Sequence, residues 1–518
     1  MPTAFAPATE SRVSGVRLSV LVFVAGCGTL ATEISASRLL APYFGSSTIV
    51  WANIIGLILI YLSIGYWLGG KLADRRPDPR LLGLLVVAAA AMIAATPFIA
   101  RPILDLAVRG LDVATVGAVV GSFFAALALF AIPVTLLGAV SPFAIRLAIP
   151  DVKHAGAVAG RLYALSTDGS IVGTFVSALV TIPLLGTQRT MLGAAALLVL
   201  GAALLLGRRW QLVTVVFFAL LLIPAGAVKA TPGLLYETES RYQYVQVVER
   251  DDGSRVLKLN EGVAVHSLWR PDSVLTGGEW DMFLMVPPLL DRPVRRMCVI
   301  GNAGGTIARA YGVLYPDVEI DGVEIDPKVT EAGRRFMGLG ENPRLHVVTA
   351  DGRPFLQTTN ERYDLIVIDA YRQPYIPFYL ATREFFRLAR ERLVPGGVLA
   401  LNVAQVPGDD RLAEAIGSTL LAEFPQGWAW KPLRFNELML GFDRPVGREE
   451  LLDRARNVDS RIASLVPLLE RQLRPVRAEV SPLTDDQAPV EWLTDRMIVD
   501  YIAEGGGNIE EDLLPTAP

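Results

Sequence analysis

Three carboxylates close three successive apolar runs in the second half of the chain: Glu324 in GVEIDP, Asp351 in LHVVTADG and Asp369 in YDLIVIDA. Upstream, MCVIGNAGG sets Gly301, Gly304 and Gly305 just after another apolar run. Glycines there permit a tight turn and bring backbone N–H groups close to a ligand at a helix N-terminus. A carboxylate after the next run can accept hydrogen bonds from the two hydroxyls of a ribose. Asp351, beside the flexible Gly352, can accept from an adenine amino group. One acidic residue in such a place is as readily a cap for the next helix. Three in succession after a Gly-rich turn weaken that reading and point to an S-adenosyl-type nucleotide site.

Such residues need elements that carry them to one place. The runs alternate with helical stretches starting at Thr306, Lys328 and Thr382, and PGGVLALNV follows the last. Strands alternating with helices imply βαβ units and a mostly parallel, Rossmann-like sheet of the methyltransferase type, with ligands outside the carboxyl ends of the strands. Before it, residues 236–268 alternate in polarity and break at Asp252-Gly253, a hairpin signal that predicts a small antiparallel sheet. Phe385, Phe386, Leu388 and Leu393 recur at helical spacing and belong to a core. PLTDDQAP, from Pro482, is a polar turn before a helix, in which Asp485 or Asp486 caps the helix or reaches the mouth of the site.

The first half differs in kind. Of 48 Lys and Arg and 52 Asp and Glu, 16 basic and 8 acidic residues precede residue 231, so the net charge of −4 averages a basic half and an acidic one. Apolar runs at 18–39, 48–70, 81–100, 116–138, 157–185, 190–207 and 211–227 predict about seven membrane spans, the last short and interrupted by Pro224. Basic residues between the second and third, fourth and fifth, and sixth and seventh spans place those loops and the N-terminus in the cytoplasm. A true seventh span would then carry the soluble half outside, so the expectation is a multi-pass cell-membrane protein with a cytoplasmic catalytic domain. Glu33 and Asp168 lie within spans, where an ionisable group is expected to face the bundle interior. The expected domains are 1–230 (transmembrane), 231–270 (small β subdomain), 271–503 (nucleotide-binding α/β domain) and 504–518 (loose tail). Two cysteines, Cys27 and Cys298, and three scattered histidines give neither a disulfide framework nor a metal site.

With these residues in hand, ESRYQ, GVEIDP, ADGRPFL, YDLIVIDA and LVPGGVLALN make residues 236–403 resemble spermidine synthases, aminopropyltransferases on a methyltransferase-like fold. The preceding half, including GYWLGGKLADRR at 65–76, resembles the bacterial proteins that fuse a major-facilitator-like membrane domain to a spermidine synthase. The resemblance implies that Gln243 lies at the active site, Glu324 holds the ribose, Asp351 contacts the adenine and Asp369 assists the attacking amine. It further implies decarboxylated S-adenosylmethionine as co-substrate, an amine or polyamine as acceptor and the lipid bilayer as surroundings. Homo-oligomers are common among soluble relatives. Neither a nucleic-acid partner nor a metal is expected.

The sequence departs from the family where the amines bind. Ala303 replaces an Asp of the Gly-rich loop, AYRQP follows Asp369 in place of a second acidic residue, and Trp280, Asp281 and Met282 stand where the family has Tyr-His-Glu. Three readings follow: an aminopropyltransferase whose acceptor rests on aromatic faces such as Trp280, Tyr371 and Tyr375; a methyltransferase using intact S-adenosylmethionine; and a transporter with a nucleotide- or polyamine-sensing domain.

Overall fold

The computed structural model describes residues 15–44, 48–109, 114–149, 154–223, 231–260, 264–371 and 375–503. The chain divides near residue 230 into two compact units.

The first unit is helical: α1 (Gly15–Phe44), α2 (Thr48–Arg75), α3 (Pro79–Arg109), α4 (Ala114–Gly138), α5 (Val140–Ala148), α6 (Ala155–Val176), α7 (Ile182–Leu206) and α8 (Arg209–Ala219). Glycines set its closest packing. A Cβ on Gly169 or Gly173 of α6 would sit 2.0 or 2.3 Å from the carbonyl oxygens of Phe23 and Cys27 on α1, so only glycine lets these backbones touch. That inward glycine face turns Asp168 outward, where it is exposed, contrary to the expectation for an ionisable group in a span; Glu33 is half-buried. Large apolar side chains such as Leu59, Ile60, Trp67, Phe124, Ile132, Phe175 and Leu179 are also exposed, as suits a surface solvated by lipid tails.

Among the described residues five runs are long and apolar enough to cross a membrane, and the last, residues 155–206, is 52 residues long. It reverses at Gly186 (φ 84°), and the Thr190 hydroxyl donates to Thr181 Oγ1 at 3.0 Å, a contact that only a fold-back allows. It therefore makes two legs, which matches the expected spans at 157–185 and 190–207. The expected seventh span is described only in part. The apolar helix there covers only Arg209–Leu222, about 21 Å at 1.5 Å per residue against a hydrocarbon core of about 30 Å. Residues 224–227, with Pro224, lie outside the described residues. Six legs bring the chain at Arg208 back to the side of the basic loops, where Arg146 of α5 pairs with Asp74 of α2 at 3.0 Å.

The second unit opens with a four-stranded antiparallel sheet in the order β1 (Leu234–Glu239), β2 (Tyr244–Glu249), β3 (Arg255–Leu259), β4 (Val265–Trp269), turning at the expected Asp252-Gly253. A 3₁₀ turn (Glu279–Met285) and α9 (Val286–Leu289) lead into the main sheet. There β5 (Arg296–Ile300), α10 (Thr306–Leu314), β6 (Glu319–Glu324), α11 (Pro327–Phe336), β7 (Leu345–Thr349), α12 (Gly352–Thr358), β8 (Tyr363–Ile368), α13 (Arg383–Arg392) and β9 (Leu393–Ala404) alternate. The sequence reading stops here, but the chain continues through α14 (Arg411–Leu421), β10 (Gln426–Trp430), β11 (Asn436–Phe442), α15 (Arg448–Ala455), α16 (Val466–Gln472), β12 (Arg474–Pro475) and α17 (Val490–Ala503).

The eight strands run in the order β12-β10-β11-β9-β8-β5-β6-β7, with β5 to β9 parallel and β11 antiparallel to β9. The chain leaves β5 toward β6 on one side and returns to its other side with β8, so a crevice opens above β5 at their carboxyl ends. Strand β8 is buried along its whole length. Leu365 and Val367 enter the core on one face, and Ile366 and Ile368 join Phe385 and Phe386 on the other. Complete burial of each such side chain contributes about 1.5–3 kcal/mol and fixes the strand ends from which the site is built.

Candidate active site at the strand ends

The Gly-rich turn brings two strand ends together. Gly301 (φ 87°) lies so close to the end of β8 that a Cβ would sit 2.5 Å from the Asp369 carbonyl oxygen. Gly305 (φ 88°) is the N-cap of α10, and the Gly304 amide donates to Ser267 Oγ on β4 at 2.8 Å. The small sheet thereby grips the turn. Ala303 is a non-glycine residue with positive φ, 44°, a conformation that costs an L-residue about 1–2 kcal/mol. What holds it is its amide, which donates to Glu324 Oε2 at 2.9 Å.

On the nucleotide side the carboxylates are anchored by backbone. Glu324 also accepts from the Asp326 amide at 2.9 Å, yet burial pushes its carboxyl up to about 7. Asp326, fully buried, caps α11 and accepts from Ser240 Oγ at 2.5 Å and from the Gln243 side chain, which brings Gln243 to the loop that follows Glu324. The sequence reading does not single out Asp326, and capping is part of what it does. Asp351 caps α12 through the Arg353 amide at 3.1 Å and accepts from the Tyr379 hydroxyl at 3.1 Å, so the capping explanation holds for it as well. A Cβ on Gly352 would meet Ile300 at 2.3 Å, which seats α12 against the end of β5. Asp485 does not cap α17: it pairs with Arg353 at 2.6 Å and accepts from Thr382 Oγ1 at 2.7 Å, pinning the PLTDDQAP turn beside Asp351.

On the other side Asp369 is oriented by side chains. Asn402 Nδ2 on β9 donates to Asp369 Oδ1 at 2.9 Å, and Asn436 Nδ2 on β11 donates to Asn402 Oδ1 at 3.0 Å. The Trp280 indole also donates to Asp369. Burial nevertheless pushes this carboxyl up to about 6, and the two hydrogen bonds only moderate the rise. Beside it stands Glu279, a residue the sequence reading did not single out, pushed up to about 8 by burial first and by Asp369 second. Both residues keep some exposed surface.

The three aromatic residues are committed elsewhere at their polar atoms. Trp280 is buried against Asp369, and the Tyr371 hydroxyl donates to the Asn402 carbonyl at 2.9 Å while accepting from the Ala404 amide at 2.7 Å. The Tyr375 hydroxyl bonds Asp495 of α17. Of the three, Tyr371 keeps a partly exposed ring, and its phenol is raised by burial and by both carboxylates. Asp281 accepts from the Thr276 and Gly277 amides and from the Thr276 hydroxyl, so it builds the loop that presents Glu279 and Trp280. Residues 372–374 of the loop after Asp369 lie outside the described residues. Among the described residues no group of three or more His, Cys, Asp or Glu could hold a metal ion.

Comparison with known proteins agrees with this geometry. Residues 281–415 match the family profile described as the spermine/spermidine synthase domain, which takes in the Gly-rich turn, Glu324, Asp351, Asp369 and Asn402 but begins after Gln243, Glu279 and Trp280. A probable polyamine aminopropyl transferase of Bifidobacterium longum is 33% identical over 295 residues, 53% of this chain and 65% of that protein. A polyamine aminopropyltransferase of Vibrio vulnificus is 30% identical over 33% of this chain and 58% of its own length, so the chain spans less than two thirds of either relative. Among solved structures, a probable spermidine synthase from Corynebacterium glutamicum aligns along its whole length to 50% of this chain, with a TM-score of 0.39 and 16% identity. Residues 281–415 of the second unit are thus similar to the spermine/spermidine synthase domain.

Proposed function

We propose that the second unit transfers an aminopropyl group from decarboxylated S-adenosylmethionine to an amine or polyamine, releasing methylthioadenosine, in a chain anchored in the membrane by its first unit. The observation that carries the proposal is Asp369, an enclosed carboxylate held by Asn402 and Trp280 at the end of β8, opposite the Gly-rich turn.

In this reaction a neutral amine nitrogen attacks the methylene next to a sulfonium. The new C–N bond forms as the C–S bond breaks, its electron pair passes to sulfur and the product amine sheds a proton. An alkylammonium has a pKa of about 10, so the acceptor arrives protonated and must lose a proton before it attacks. Asp369 binds that cation and, with a carboxyl raised to about 6, takes its proton more readily than an ordinary aspartate. The remaining acceleration comes from alignment of nitrogen, carbon and sulfur. In this reading Glu324 receives the ribose hydroxyls, Asp351 the adenine amino group, and Gln243 closes the nucleotide side from the small sheet. Each carboxylate oxygen that accepts one backbone N–H keeps a second lone pair for a ligand donor.

An even number of membrane legs and the basic loops of the first unit support a cytoplasmic second unit by the positive-inside rule, on the side where adenosyl donors are made. A reporter fused after residue 518 is expected to be active in the cytoplasm; activity only outside would overturn that orientation. For the chemistry, methylthioadenosine release is expected to disappear in Asp369→Asn, and release that survives the substitution would remove Asp369 from the reaction.

A further inference from the structure

We infer that Asn436 is a positioning residue for the proposed reaction: by donating to the side-chain oxygen of Asn402 it fixes which end of that amide faces Asp369. The inference rests on the aminopropyl-transfer reading for what Asp369 does, but its ground is a chain of hydrogen bonds from β11 through β9 to the end of β8.

A carboxamide has a donating end and an accepting end of nearly equal size, so its partners decide its orientation. Asn402 presents Nδ2 to Asp369 Oδ1 at 2.9 Å, and its own Oδ1 receives Nδ2 of Asn436 at 3.0 Å. Without Asn436 the amide is free to follow the proton on Asp369: it gives an N–H to the carboxylate or, turned about, takes the O–H of the carboxylic acid. With Asn436 in place the turned amide loses a partner, because two NH2 groups then meet. The arrangement therefore favours the ionised Asp369, the form that receives an ammonium and its proton.

Backbone bonds hold Asn402 in place, which leaves the turn of its amide to its side-chain partners. The residue is buried, its carbonyl accepts from the Tyr371 hydroxyl at 2.9 Å, and the oxygen of that hydroxyl accepts from the Ala404 amide at 2.7 Å. Strand β8 ends at Ile368 opposite Leu401, so beyond it this phenol stands where a further residue of β8 would bond β9. From the other side β11 pairs with β9 antiparallel, Asn436 opposite Ala404 and Leu438 opposite Asn402. Asn436 therefore meets Asn402 on the diagonal of the ladder, and among the described residues its side chain makes no other hydrogen bond. Trp280 also donates to Asp369, so one substitution does not isolate the route through Asn402.

The test is a double-mutant cycle on the full chain in detergent, with kcat and KM measured for decarboxylated S-adenosylmethionine and 1,4-diaminobutane in the wild type, Asn436→Ala, Asn402→Ala and the double variant. Asn436→Ala is expected to lower kcat about threefold to tenfold, the scale of one hydrogen bond, with the donor KM within about twofold. The double variant should match Asn402→Ala within about twofold, since Asn436 acts only through Asn402. Asn436→Asp, of the same size, can only accept; it turns the amide round and should cost more than Asn436→Ala, which keeps the inference open to test if the Asn402 variants fold poorly. An Asn436→Ala or Asn436→Asp chain with the wild-type kcat, a loss confined to the donor KM, or losses that multiply in the double variant each overturns the inference. If the wild type releases no methylthioadenosine, the aminopropyl reading fails, and the same cycle is read in the affinity for 1,4-diaminobutane with methylthioadenosine present. There a double variant equal to a weakened Asn402→Ala upholds the role of Asn436, and no loss, or losses that multiply, overturns it.

Discussion

The two sides of the crevice, which the proposed reaction gives to nucleotide and acceptor, are built by different means. Glu324 and Asp351 are tied down by backbone amides of their own strand ends and helix starts, whereas Asp369 is oriented by the side chains of Asn402 and Trp280. Backbone anchoring follows from the fold and changes little when side chains change. An assembly of side chains from three separate segments can be rebuilt, and that is where this sequence leaves the spermidine synthase pattern. In the proposed reaction the donor is therefore fixed by topology and the acceptor by local residues.

The sharpest way to break the comparison is at Asp369. Asp369→Asn is expected to lower turnover by about a hundredfold or more, the scale of losing a general base, while donor affinity stays within about twofold. Because the carboxyl is raised to about 6 by burial, the same change should stabilise the fold at neutral pH, by about 1–2 kcal/mol after allowance for partial exposure. Rate and thermal unfolding measured together check this, and a drop in both would mean that Asp369 is structural.

A complementary break is expected at Glu324. Glu324→Gln should weaken donor binding about tenfold through loss of charge-assisted hydrogen bonds, and leave diamine binding unchanged. Equal loss of donor and diamine affinity in titrations would dissolve the distinction between the two sides.

A smaller effect concerns pH. Asp369 acts as a base only when ionised, so kcat is expected to fall as pH drops through about 6, well above the range of an ordinary aspartate. Stability has the opposite sign: the folded state holds this proton more tightly than the unfolded chain, so the contribution from Asp369 grows as pH falls from about 6 toward 4. Asn402→Ala removes a donor to the ionised form and should move the kinetic limb upward by roughly half a unit to one unit. A limb that stays in place would show that Asn402 does not tune Asp369.

The smallest effect is on the nucleotide side. Ala303→Gly removes the cost of a positive φ and, after the extra freedom glycine gains in the unfolded chain, should stabilise the protein by about 0.5 kcal/mol in chemical denaturation. Destabilisation would mean that the Ala303 methyl packs more than it strains.

The same division decided what was legible in the sequence. Apolar runs ending in Gly301, Glu324, Asp351 and Asp369 reveal the strand ends because period and composition dictate a buried parallel sheet. The hairpin at Asp252-Gly253 was readable for the same local reason. Strands β10 and β11 were not read, and with them the route by which Asn436 reaches Asn402. Glu279 looked like any polar residue before a helical turn, and its proximity to Asp369 depends on the fold of the loop from Thr276 to Asp281. In the first unit hydropathy found the legs, including the break at 186–189 where Gly186 separates two of them. It did not show that Gly169 and Gly173 claim the inner face of α6 and leave Asp168 outside.

The central claim is best tested by one product assay on the full chain in detergent or nanodiscs, supplied with decarboxylated S-adenosylmethionine and 1,4-diaminobutane. The account predicts methylthioadenosine and an aminopropylated diamine in equal amounts. Binding of both ligands without turnover, or methyl transfer from intact S-adenosylmethionine in place of aminopropyl transfer, would contradict it.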